Sequence, residues 1–146
     1  MRDAVGGTFN LTVLFVFIVL VSSFALFSVN YYRAFSLKNR LLSLIESYEG
    51  NMTNTNLKSK TKDAVNKLGY HVDQSKMVNQ GSEWECIMAE GWCYNIQSTN
   101  KGECLYTYNV KTFVNTNIPI LNRIMGSTRL FEVKGSTKPI RRKGGC

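Results

Sequence analysis

From Phe9 to Val29 the chain runs 21 residues, FNLTVLFVFIVLVSSFALFSV, without an Asp, Glu, Lys or Arg. No other feature limits the fold as strongly. A chain of 146 residues has too little material elsewhere to wrap such a segment on every side. About 20 helical residues cross a hydrocarbon core of roughly 30 Å, so the run suits one span. A cleaved secretory signal would need a positive n-region, a shorter apolar centre and a small-x-small site near its end. Here the n-region pairs Arg2 with Asp3, and the exit reads FALFSVNYYRAF, bulky and aromatic. Tyr31 and Tyr32 suit an interfacial aromatic belt. The run therefore reads as a retained membrane helix behind a short leader, residues 1–8.

The segment after the run extends the helix. NYYRAFSLKNRLLSLIESYEG has no Pro, and no Gly before Gly50, so nothing in it stops a helix. Phe35, Leu37, Leu41, Leu42, Leu44, Ile45 and Tyr48 recur at steps of three and four, the mark of an amphipathic face. Gly50 stands where a C-terminal cap belongs. One helix from Phe9 to Tyr48 would be about 60 Å long at 1.5 Å per residue. A bare anchor has no use for the amphipathic half; a stalk for a small domain does.

Residues 50–146 read as that domain. TNLKSKTKDAVNKLGYHV offers Thr55 or Asn56 as an N-cap and a sparse stripe of Leu57, Ala64, Val65 and Leu68, closed by Gly69. EWECIMAEGWCYNIQS, with Glu90-Gly91 in its middle, suggests a hairpin or bulged turn. ECLYTYNVKTFVNT alternates through Leu105–Lys111 and is the best strand signal; STRLFEVKGSTKPI alternates again. NIPILNRIMG, interrupted by Pro119, suggests a short helix or packed loop. Strands in succession with short links favour an antiparallel sheet. The expected class is α+β, a long N-terminal helix followed by a small head with one helix and an antiparallel sheet.

Charge and cysteines bear on compartment. The net charge is +8, and from Asn51 onward 14 Lys and Arg stand against 7 Asp and Glu. The charges are dispersed except in the terminal KPIRRKGGC, a basic Gly-rich tail, so a solvated basic face is expected before a nucleic-acid surface. All four cysteines, Cys86, Cys93, Cys104 and Cys146, lie C-terminal to the run. With no C-x-x-C pair and one His, zinc is disfavoured. Three cysteines in a turn-rich, strand-like region point to disulfides, and so to an oxidising compartment, against the alternative of four unpaired thiols. Cys86–Cys93 and Cys86–Cys104 are both open, with Cys146 free or paired through the tail. The count of basic residues flanking the run, Arg2 before and Arg33, Lys38 and Arg40 after, argues the opposite orientation, with the C-terminal part in the cytoplasm.

Catalysis finds little footing. His71 is the one histidine, beside Asp73, with no acid–base constellation around it. Glu83, Glu85 and Glu90 lie near Cys86 but lack an orienting His, and no nucleophile-elbow, Walker or zinc-protease pattern occurs. Trp84 and Trp92 either pack against a disulfide or offer an aromatic contact to a partner; Tyr94, Tyr106 and Tyr108 leave the same two readings open. No enzyme activity, cofactor, metal or small-molecule substrate is expected.

GGTFNLTVLFVFIVLVSSFALFSVNYYRAFSLKNRLLSLIE resembles the N-terminal segment of type IV pilin-like proteins, and most of all the TadE-like minor pilins or pseudopilins of tight-adherence systems. In these a Gly-containing leader precedes an apolar helix that continues past the membrane into a stalk and a small head. The resemblance implies processing at Gly7–Thr8, a cytoplasmic N-terminus and an extracytoplasmic head, which agrees with the cysteines. Prepilins place a Glu at the fifth position after the processed Gly; here that position is Thr12, or Leu11 if the bond after Gly6 is the one processed. The implied role is that of a structural, single-pass subunit in the cell membrane, taking part in a surface pilus or secretion-type filament. Its partners would be membrane lipid and other pilin-like subunits or assembly-platform proteins. Ser22, Ser23 and Ala25 are the small residues that would let helices approach closely. The alternative is an anchored extracytoplasmic binding module whose head or tail holds a ligand.

Overall fold

The structure, a computed structural model, describes residues 2–77, 81–100, 104–114 and 131–141. Helix α1 spans Arg2–Ser47, so the helix begins within the leader and continues without a break through the stalk. Helix α2 spans Thr55–Leu68. The strands are β1 (Glu85–Ile87), β2 (Trp92–Asn100), β3 (Leu105–Val114), β4 (Phe131–Ser136) and β5 (Ile140–Arg141), all paired antiparallel. The expected α+β architecture is present, with both helices against one face of the sheet. NIPILNRIMG lies outside the described residues.

Strand β3 is the centre of the sheet. It pairs with β2 along one edge and with β4 and β5 along the other. Residue numbers across β3–β4 are in register from Asn109↔Ser136 to Val114↔Phe131, whereas Leu105↔Arg141 and Tyr106↔Ile140 are offset by one residue. Strands β4 and β5 are thus one strand interrupted by a bulge. Thr137 repairs the ladder there. Its N–H donates to the Tyr108 carbonyl at 2.9 Å, and its hydroxyl accepts the Tyr108 N–H at 3.0 Å.

The core lies between α1, α2 and the sheet. Ala34, Leu37, Leu41 and Ile45 of α1 meet Ala64 and Val65 of α2 and Trp92, Tyr94, Tyr108, Val110, Val114 and Val133 of the sheet. The head-facing positions of α1 are Ser23, Phe27, Asn30, Ala34, Leu37, Leu41 and Leu44, alternating steps of four and three. That spacing is a narrow seam. Phe35, assigned to the stalk's apolar face from the sequence, turns outward and is 40% exposed, while Ala34 takes the seam. A sheet close against a helix favours the small residue, because its strands must approach the backbone. Thr112 does so directly, donating its hydroxyl to the Ala34 carbonyl at 2.9 Å.

Both helix ends correct the sequence reading in detail. At the end of α1 Glu49 (φ 52°) and Gly50 (φ 69°) are both left-handed, with Glu49 N–H to the Glu46 carbonyl and Gly50 N–H to the Ile45 carbonyl. That is a Schellman closure in which Gly50 is the residue after the cap. Gly50 is glycine for a further reason. A Cβ there would overlap the Tyr108 ring and hydroxyl, and that hydroxyl donates to the Gly50 carbonyl at 2.8 Å. The N-cap of α2 is Asn54, not Thr55 or Asn56: its side chain accepts the Asn56 N–H at 2.8 Å. Gly69 closes α2 as expected.

Tyr70 ties three parts of the head together. Its hydroxyl donates to the Gly91 carbonyl and accepts the Phe113 N–H, both at 2.8 Å. Tyr70→Phe removes both bonds and leaves a buried N–H and C=O unpaired, at a cost of about 2 kcal/mol. Burial also holds the Tyr70 phenol above its ordinary pKa; for Tyr94, burial first and then the Glu85 carboxylate act the same way. Above about pH 10 an unfolded tyrosine gives up its proton while these two keep theirs, so ionisation favours unfolding. Stability contributed by the neutral phenols is intact below about pH 10 and falls as pH rises beyond it. Denaturant titrations across about pH 8–12 are expected to show this fall, with a smaller slope in Tyr70→Phe. Equal slopes would mean that Tyr70 is not buried in the folded head.

Candidate functional site

The run from Phe9 to Val29 is the largest feature left uncovered. Its large side chains face outward around the whole helix, with Phe9, Phe17 and Phe24 at 71%, 64% and 72% exposure. A soluble monomer rarely shows a contiguous apolar surface of this extent. This one helix is long and apolar enough to cross a membrane. Its backbone bonds are internal, as hydrocarbon requires. The hydroxyls of Ser23 and Ser28 donate to the Val19 and Phe24 carbonyls at 2.8 and 2.9 Å.

Ser22, Ser23 and Ala25 do not make one patch. Ser23 lies on the head-facing seam with Phe27 and Asn30, whereas Ser22 and Ala25 are exposed on the far side. At about 100° per residue Ser22 and Ala25 sit roughly 60° apart, so they share a face that a neighbouring helix could approach. Gly7 and Thr8 fall within α1, the backbone being helical through the bond expected to be processed.

Where the run ends, aromatic rings collect. Phe27 and Tyr31 are stacked at 6.4 Å, Tyr31 and Phe35 at 6.3 Å, and Lys38 Nζ stands 4.3 Å above the Phe35 ring. Phe131, at the start of β4, meets Phe27 edge-on at 5.8 Å. Tyr31 and Tyr32 are exposed beside them, as an interfacial belt requires. The contribution of Phe131 was not legible from the sequence, because β4 is so distant from Phe27 along the chain.

The cysteines resolve in part. Cys86 and Cys93 are directly opposite one another across β1–β2 and form a disulfide, which excludes Cys86–Cys104. Cys104 is disulfide-bonded too; Cys146 lies outside the described residues. Cys86 is thereby withdrawn as a thiol beside Glu83, Glu85 and Glu90. The two tryptophans are on opposite faces of the sheet. Trp84 joins Cys86, Cys93, Met77 and Phe113, as expected of a ring against a disulfide, but Trp92 is buried on the helix side. On the Trp84 face, buried Lys111 has its ammonium 4.1 Å above the indole and 3.5 Å from Glu132.

A groove of about 350 Å³ lies between α2 and the β1–β2 hairpin. Leu57, Thr61, Ile87 and Tyr94 line it, with Glu85 and Glu90 among its walls. Glu90 is held by the Trp92 indole N–H at 2.7 Å. With Lys58 beside the two carboxylates, the groove can take a small group that is apolar at one end and polar at the other. His71, exposed after α2, lines a separate cleft with Arg33. Comparison with protein-family models, with characterised proteins and with solved structures finds no match to this chain.

Proposed function

We propose that the chain is a single-pass, pilin-like membrane subunit, N-terminus in the cytoplasm and head outside, that takes part in assembling a surface pilus or secretion-type filament. The observation that carries the reading is the continuity of α1. A largely exposed apolar half passes without a break into a stalk on which the head is folded, so one helix joins membrane segment and head. A tether needs a flexible link; a subunit that transmits lateral helix packing to its head needs a rigid one. The Cys86–Cys93 disulfide supports an extracytoplasmic head.

Lateral packing is assigned to the Ser22–Ala25 face. Ser22→Leu with Ala25→Leu should abolish cross-linking between differently tagged neighbouring helices while membrane content stays unchanged. The intact mass of the protein from native membranes tests the family reading: a chain beginning at Thr8 is expected. A mass beginning at Met1, with cross-linking unaffected by the double substitution, would overturn the subunit reading. The second reading, an anchored binding module, would then rest on the groove between α2 and the β1–β2 hairpin.

A further inference from the structure

Two contacts set the height of the head along α1. Phe131 packs on Phe27, which is still inside the charge-free run. Arg33, just beyond the run, donates through Nη1 to the Gly69 carbonyl at 3.3 Å. Phe27 and Arg33 are about 9 Å apart along the helix axis. Each polar layer of a bilayer is about 5–8 Å deep. With the run filling the hydrocarbon, Asn30–Arg33 stand among the headgroups, and the base of the head stands there with them.

A cleft of about 200 Å³ opens at that depth, lined by Asn30, Arg33, Gly69, Tyr70 and His71. Arg33 supplies its charge, and no carboxylate is among the lining residues. Of the five N–H groups of a guanidinium, the bond to Gly69 uses one and steadies the group at the cleft; the fork can still grip two oxygens of a phosphate. Tyr70, fixed by Gly91 and Phe113, makes one wall rigid. Lys67, in the last turn of α2, adds positive charge nearby.

We propose that this cleft binds the phosphodiester of a phospholipid headgroup, seating the head on the bilayer surface. The inference rests on Phe9–Val29 being a span. It separates this protein's head from one held clear of the membrane by its stalk, because the seam on α1 begins inside the apolar run.

The test uses the full chain, reconstituted in nanodiscs of phosphatidylglycerol and phosphatidylcholine and released for native mass spectrometry. The wild type should keep one bound phospholipid. Arg33→Gln should lower that retention about tenfold, the scale of one charge-assisted pair. His71→Ala, at an exposed position outside the core, should lower it less but in the same direction. Arg40→Gln, which removes the same charge from an exposed stalk position, should leave it unchanged. Unchanged retention in both Arg33→Gln and His71→Ala overturns the proposal, as do equal losses in Arg33→Gln and Arg40→Gln, which would mean diffuse attraction. Binding of millimolar inorganic phosphate with the same Arg33 dependence, and no retained lipid, would make the cleft a free-phosphate site and also overturn it. A urea wash of the membranes separates the two levels. Protein removed by the wash sinks the span and the cleft together, whereas integrated protein without Arg33-dependent lipid sinks the cleft alone.

Discussion

Val16→Arg with Leu20→Arg is expected to release the chain from membranes. The two positions are one helical turn apart in the middle of the run, and both are exposed. Fifteen Phe, Leu, Ile and Val residues favour insertion of Phe9–Val29, each by about 0.3–0.6 kcal/mol. Asn10, Thr12 and the three serines offset part of that gain, leaving a net of a few kcal/mol. Two arginines near the centre cost about 5–7 kcal/mol together, which exceeds that net. The wild type should stay in the pellet after urea and high-salt washes, while the double variant appears in the supernatant. Asn39→Arg with Ser43→Arg, on the stalk beyond the run, is the matched control and should not move. If the first pair partitions like the second, the run does not lie in hydrocarbon.

The second large effect is expected from Trp92→Ala. Trp92 is fully buried at the meeting of α1, α2 and the sheet, and its indole N–H holds Glu90. Truncating a buried Trp costs about 3–5 kcal/mol. Domains of this size have total stabilities near the lower part of the roughly 5–15 kcal/mol range, so most of the margin goes. The melting temperature should fall by about 20 °C. Trp92→Phe keeps most of the apolar volume and should retain a cooperative transition well above that of the alanine variant. The same substitution at Trp84, on the other face, should cost less, because that cluster is smaller. A head that melts at the wild-type temperature without Trp92 would show that the helix–sheet layer is not its core.

Several elements were legible because their determinants are local. Fifteen aliphatic and aromatic side chains with no charge announce the apolar helix whatever lies around it. Alternation through Leu105–Lys111 announced the strand that proved central, and Gly69 announced the end of α2. The expected hairpin at Glu90-Gly91 is present, with the Glu90 and Gly91 N–H groups both donating to the Ile87 carbonyl. Other choices were ambiguous in one dimension. Phe35 and Ala34 are neighbours, and hydropathy selects the larger; the sheet selects the smaller, since a strand bonded to the Ala34 carbonyl leaves no room for a ring. Asn54, Thr55 and Asn56 are all competent caps, and the turn from Asn51 decides among them.

The sequence by itself determined that this chain has an apolar helix fit to span a membrane, a stalk continuing from it, and a small α+β head. Each of these arises from composition and period, which act residue by residue along the backbone. Only the tertiary structure decided that Cys86 bonds Cys93, that the tryptophans part to opposite faces, and that Phe131 reaches Phe27. It also decided that Arg33 and His71 share a cleft at the exit of the run. These are relations between separate segments of the chain, set by strand register and by the face of α1 that the sheet covers. A one-residue slip in register would have reversed the faces of the strand residues among them.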